Sequence, residues 1–211
     1  MAHPVLFRSI MKKRLSKYKH CDSPIPPEVV MEFKFNVCPM CGNLYPQCIE
    51  YIVNYLRIIQ LTDVLLPASE LLLKTEFNAA VREAVVTFES SVRKKSGLKD
   101  LTGTDLMAKA FSFKFDLNTK KLSERPKIKI NNLSTISKRN EQEGVKFMAM
   151  GIMQGIRNIY MHSEGSARLY YALQILTTVD LLLKLVIYTG SIAQEARHPK
   201  IVLRVKPAPH K

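Results

Sequence analysis

With 211 residues, 46% of them apolar and 24% charged, the chain has the size and balance of one globular domain plus a small appendage. Its net charge of +14 exceeds the ~2–8 that solubility asks of a small domain, and so points to a polyanionic partner. A spanning helix needs ~20 apolar residues, and the most apolar stretch, Ala172 to Tyr188, carries Asp180 and Lys184; Val5-Leu6-Phe7 is too short for the apolar part of a secretory leader. The expectation is a cytoplasmic protein with no membrane partner.

Residues 1–20 form a basic lead-in with Arg8, Lys12, Lys13, Arg14, Lys17 and Lys19 and no acid. A turn-rich link, Asp22 to Pro27, leads to Val29–Val37, where Val29, Met31, Phe33, Phe35 and Val37 alternate as in a strand. That strand runs into Cys38-Pro39-Met40-Cys41-Gly42. A helix is predicted from about Gln47, with Ile49, Ile52, Val53 and Leu56 at helical spacing, interrupted by Pro67. Ser69 is then read as the cap of a long helix to Lys95, with Leu72, Phe77, Val81, Val85, Phe88 and Val92 inward and Gly97 as terminator. A short helix follows over Gly103 to Phe111, capped by Thr104.

The stretch from Glu89 to Arg139 holds 13 Lys/Arg against 5 Asp/Glu. Within it, Phe113-Lys114-Phe115 and Lys127-Ile128-Lys129-Ile130 alternate, as two short strands or an irregular basic flap would. Helical spacing returns at Asn140 and continues through Val145, Met148, Ile152 and Ile156 into Arg157. Gly151 and Gly155 share one face of this helix. Each costs about 1 kcal/mol relative to Ala, a cost that close approach of another helix would explain. A last, Leu-rich helix spans about Ala167 to Tyr188. Arg197, Lys200, Arg204, Lys206 and Lys211 make the tail basic again, and from Pro199 it is either an edge strand or disordered. The organisation expected is a basic arm with a Cys-cluster region and linking helix over 1–66, a helical domain over 67–196 with a basic insertion at about 112–139, and a basic tail over 197–211.

Cys21, Cys38, Cys41 and Cys48 fall within 28 residues, and the rest of the chain has none. In a reducing compartment such clustering favours metal over disulfides. The Cys38–Cys41 pair has the spacing of a zinc knuckle, with Cys48 and Cys21, or His20, completing a tetrahedral structural site. The alternative is four ordinary reduced thiols.

Residues 157–162, Arg-Asn-Ile-Tyr-Met-His, carry the densest chemistry. On an α-helix, Arg157 and His162 point about 140° apart, ~7.5 Å along the axis. Asn158 and His162 share a face and can exchange a hydrogen bond that sets the imidazole tautomer. Arginine grips a phosphate with a bidentate fork, histidine moves protons near neutral pH, and RNA brings its own nucleophile in the 2′-hydroxyl. The other reading is a helix C-terminus where cations settle against the dipole. Glu141 and Glu143 are read in the same two ways, as acids favoured near a helix start or as site residues.

Three ordered segments carry a family resemblance: Gly103-Thr104-Asp105-Leu106-Met107-Ala108-Lys109-Ala110-Phe111, Glu141-Gln142-Glu143-Gly144, and Gly155-Ile156-Arg157-Asn158-Ile159-Tyr160-Met161-His162. Over about Phe77 to Leu185 the chain resembles the HEPN superfamily, in particular the Ymh-type family of hypothetical proteins. The resemblance implies a mainly α fold, an antiparallel helical bundle, here preceded by a small zinc-knuckle-like, β-containing region. It implies a homodimer or higher oligomer with a composite site from two R-x4-H motifs, in which Arg157 and His162 are catalytic and Asn158 supports them. It also implies metal-independent RNA cleavage to a 2′,3′-cyclic phosphate, in proteins that often act as toxins or antiphage effectors beside an antitoxin or sensor protein. Relatives usually have Pro after the Asn, where this chain has Ile159. The alternative function is a non-catalytic nucleic-acid- or protein-binding module with a structural zinc. A zinc-dependent DNA-binding regulator fits less well, since no helix-turn-helix pattern is present.

Overall fold

A computed structural model describes residues 44–162 and 167–188, apart from the side chains at 46, 47, 161 and 162. The basic arm, the alternating stretch Val29–Val37, Cys21, Cys38, Cys41 and the basic tail lie outside the described residues. What is described is mainly helical, with one small hairpin.

Helix α1, Pro46–Ile58, starts with proline in its first turn, where the missing N–H is no loss. Leu44, Tyr45, Cys48, Ile52 and Leu56 are buried in the same core as the rest of the chain. A 3-10 turn, Asp63–Leu65, leads into α2, Leu66–Leu73, and α3 follows as Phe77–Ser96. The predicted single helix to Lys95 is therefore two. Pro67 lies inside the first turn of α2, and Ser69 is no cap: it is buried and donates to the Leu66 carbonyl at 2.8 Å. The break comes at Thr75, with φ of 65°. The Glu76 N–H bonds the Leu71 carbonyl and the Thr75 N–H bonds the Leu72 carbonyl, which is the Schellman closure. Helix α1 ends the same way around Gln60, whose φ is 52°. Neither terminator is a glycine, so neither stood out in the sequence. By contrast, α3 ends as predicted at Gly97, with φ of 73°.

Helix α4 is Gly103–Phe111 as predicted, but Thr104 does not cap it. After α4 come β1, Lys114–Asp116, and β2, Lys121–Glu124, paired antiparallel. The Asp116 carboxylate accepts the backbone N–H groups of Asn118 (2.8 Å) and Thr119 (3.3 Å), closing the turn. The alternation at Lys127–Ile130 does not form a strand. Instead the Ile128 N–H bonds the Ala110 carbonyl at 2.8 Å, and the buried Gln142 side chain bonds both the Ile128 carbonyl and the Ile130 N–H.

Helix α5, Ile136–Gly151, begins earlier than its apolar stripe, because Thr135 caps it through the Lys138 N–H. A π-helical turn, Ile152–Arg157, then a short helix α6, Asn158–His162, continue the same rod. Helix α7, Leu169–Ile187, packs along α3. The two run in the same direction: the Ala167 N–H meets Asn78 at their beginnings, and Lys95 Nζ donates to the Val186 carbonyl at their ends. The α5–α6 rod runs against α3, with Arg157 opposite Glu89. Among the described residues α7 is the one helix long and apolar enough to cross a membrane by length and composition. Here it is a core helix with eight buried residues. Its buried Asp180 accepts from the Thr62 N–H (2.8 Å) and hydroxyl (2.6 Å) and pairs with Lys184 at 2.6 Å.

The close helix approach expected at Gly151 and Gly155 does not occur among the described residues. A Cβ built on Gly144, Gly151 or Gly155 meets nothing within 4 Å, and all three are exposed.

Candidate functional site

The site begins with an acid at a core position. Val81, Val85, Phe88 and Val92 define the inward stripe of α3, and Glu89 falls on that stripe, four residues after Val85. Its side chain is 7% exposed. A buried carboxylate must be compensated, and this one has three partners. The Gly103 N–H donates to Oε1 at 2.8 Å. Arg93, one turn along α3, donates to the same oxygen at 2.9 Å. Arg157 approaches Oε2 at 3.7 Å.

These three contacts differ in kind. The Gly103 contact is a hydrogen bond at the start of α4, so Glu89 does the capping that Thr104 was expected to do. The Arg93 contact is a hydrogen-bonded ion pair. At 3.7 Å, Arg157 is attracted but lies beyond hydrogen-bond length. Its side chain stays 33% exposed, so the guanidinium is placed by Glu89 without being consumed by it. Its Nε is buried with no hydrogen-bond partner among the described residues. Orphaned buried donors are rare.

Two backbone features put Arg157 there. One is the π-helical turn that it ends, in place of the continuous α-helix expected. A π turn adds a residue to the helical repeat and shifts the faces beyond it; such turns recur at functional sites. Here Ile152 and Met153 are buried in succession, and Arg157 comes round toward α3 and the start of α4. The other is Gly103, whose φ is 54° and whose absent Cβ would sit 3.4 Å from an Arg157 guanidinium nitrogen. The left-handed backbone favours glycine, and so does the arginine beside it.

Asn158 is exposed and lies one α-helical turn before His162 on α6, the spacing their pairing requires. The His162 side chain lies outside the described residues. The rod is already irregular upstream of Ile159 because of the π turn, a recognised source of helix distortion that needs no proline.

The three sequence segments that carried the resemblance all have a structural part here. Gly103 meets Arg157. Gln142, fully buried, accepts from the Ile130 N–H (3.0 Å) and donates to the carbonyls of Phe111 (3.0 Å) and Ile128 (2.9 Å), tying the far end of α4 to α5. The glutamates flanking Gln142 are occupied locally, Glu141 by Asn131 at 2.9 Å and Glu143 by Lys146 at 2.8 Å.

Cys48 is a buried member of the core. Burial pushes its thiol pKa up; Cys21, Cys38 and Cys41, the other expected ligands, lie outside the described residues. Among the described residues no cluster of three or more potential metal ligands occurs.

Glu89 and Arg93 are the site residues that sequence reasoning missed. The available signal was an acid on an otherwise apolar stripe, followed one turn later by an arginine.

The fold and site together define a helical domain with a partly exposed arginine braced by a buried glutamate at a π-helical distortion. The chain belongs to the family described as Protein of unknown function (Hypoth_ymh), whose profile matches residues 62–186. No curated protein and no solved structure matches.

Proposed function

We propose that this protein is a metal-independent endoribonuclease of HEPN type that works as a dimer. The observation that carries the reading is Arg157. It is held near a buried carboxylate, keeps a third of its surface open, and ends a π-helical turn directly before the Asn158–His162 helix. A guanidinium so placed can take a phosphate and stabilise the charge that grows on it in the transition state. His162 is the proton carrier and Asn158 its orienting neighbour.

The chemistry needs one base and one acid. The base takes the 2′-hydroxyl proton, the 2′-oxygen bonds to phosphorus, the bond to the 5′-oxygen breaks, and the acid protonates that oxygen. Each chain offers one such histidine, so two chains complete the pair. The rod that carries the site also carries an exposed stripe: Phe147, Met148 and Ile159 beside the open Gly144, Gly151 and Gly155. Large side chains beside glycine hollows on one helix suit an isologous contact with a second copy.

The test is incubation of total RNA with wild type, Arg157→Ala and His162→Ala in the presence of a chelator, with end-group analysis. Wild type is expected to leave 2′,3′-cyclic phosphate ends, and both variants to lose cleavage and any growth toxicity while keeping their fold. Cleavage unchanged in both variants refutes the reading. RNA binding with no product ends from wild type would instead mark a non-catalytic nucleic-acid-binding module.

A further inference from the structure

Beyond the hairpin the chain runs as Arg125-Pro126-Lys127-Ile128-Lys129-Ile130. Pro126 and Ile128 are buried and Ile130 is half-buried, while Arg125, Lys127 and Lys129 are exposed. This is the alternation of a strand without a strand's partner. The segment is held by side-chain and main-chain bonds: the Ile128 N–H on the Ala110 carbonyl, and Gln142 on both Ile128 and Ile130. A fully buried glutamine thus fixes a short stretch whose outer edge is three cations. Successive cationic residues are at most ~7 Å apart at Cα.

None of the three has an acidic partner among the described residues. The neighbouring carboxylate, Glu124, is drawn off by Lys109 (3.1 Å) and Lys114 (3.3 Å). No apolar side chain alternates outward among the three, so the row lacks what a membrane-surface element needs. Its anchor, Ala110, and the Arg157 neighbour, Gly103, lie on the same helix α4, about 11 Å apart along its axis.

We propose that Arg125, Lys127 and Lys129 form a built phosphate track that holds the RNA strand flanking the bond presented to Arg157. This rests on the nuclease reading for the identity of the strand, and it adds a binding site outside the cleavage motif. The row and the arginine, at opposite ends of α4, contact separate phosphates of one strand. Gln142 is the positioning residue that keeps the row rigid.

The test measures binding of a short fluorescent single-stranded RNA to the full chain carrying His162→Ala, from about 50 to about 200 mM salt. Each phosphate contact on a single strand contributes a slope of about −0.7 in log affinity against log salt. The Arg125→Gln/Lys127→Gln/Lys129→Gln variant is expected to bind more weakly, with the slope flattened by about 2. Lys127→Gln alone is expected to flatten it by about 0.7, and serves if the triple variant misfolds. The charge-preserving Arg125→Lys/Lys127→Arg/Lys129→Arg variant is expected to keep the wild-type slope. An unchanged slope in the neutralised variants overturns the proposal. So does loss of binding to an acidic peptide with RNA binding intact, which would mark a protein-docking surface. Absence of RNA cleavage by wild type would defeat the nuclease reading while leaving this binding result to stand or fall by itself.

Discussion

Replacing Glu89 with alanine removes the acceptor on which three groups converge. The Gly103 N–H is the largest loss: a buried hydrogen bond to a charged group contributes about 1.5–3 kcal/mol. The Arg93 pair, one helical turn apart and partly open to water, adds about 0.3–0.5 kcal/mol. The Arg157 contact, longer and a third exposed, adds little to stability. The sum is about 2–4 kcal/mol, or a fall in Tm of roughly 6–12 °C for a mid-range ~3 kcal/mol in a domain of this size. Glu89→Gln keeps an acceptor for Gly103 but loses the charge and turns an amide donor toward Arg157, so it should cost about 1 kcal/mol. Urea unfolding followed by circular dichroism measures both, with an unchanged m-value confirming comparable states. RNA cleavage should fall in Glu89→Gln further than its stability does, because Arg157 loses its electrostatic anchor. If Glu89→Ala lies within ~0.5 kcal/mol of wild type, the carboxylate is not the structural centre argued for it.

The remaining predictions concern the supports of the site. Gln142→Leu orphans the Ile130 N–H and the carbonyls of Phe111 and Ile128, and should destabilise by about 3–5 kcal/mol, discounted for water reaching Ile130; hydrogen exchange should quicken first over residues 126–131, and unchanged protection there would count against the clamp. Asp116 is held below the ordinary carboxylate pKa by the backbone N–H of Asn118 and then by Thr119, and Glu124 by hydrogen bonds from Lys109 and then Lys114. The stability they lend the hairpin is therefore present above the unfolded value of ~4 and is lost as pH falls through the depressed folded values, so exchange of amides 114–124, corrected for intrinsic rate, should accelerate as pH falls below about 4. Phe147→Glu should shift sedimentation toward monomer and reduce RNA cleavage while the helical circular dichroism of each chain is kept, since Phe147 is exposed within the described residues; an unchanged oligomeric state would remove this stripe as the contact between copies.

Much of the helical layout was legible because burial imposes a period that residue types record. The stripes of α1, α3, α5 and α7 could be read directly, and Gly97 announced its own turn through the one residue type that accepts a positive φ without penalty. Gln60 and Thr75 adopt the same left-handed conformation without being glycine, and so the division between α2 and α3 was hidden. The alternation at residues 127–130 correctly marked which side chains turn inward and misled about the partner, because a glutamine can satisfy a backbone segment as a neighbouring strand would.

For the candidate site, the sequence by itself determined the residue types at 157, 158 and 162 and the helical spacing that pairs Asn158 with His162. Only the tertiary structure decided how Arg157 is used. The π turn is a tertiary choice, because it trades regular α hydrogen bonding for a register that brings Arg157 to α3 and the start of α4. Glu89 acts on Arg157 across 68 positions of sequence, a separation that no local pattern spans. The open glycine face was equally undetermined: helical spacing placed Gly151 and Gly155 together, but whether a helix covers them depends on where the other elements pack.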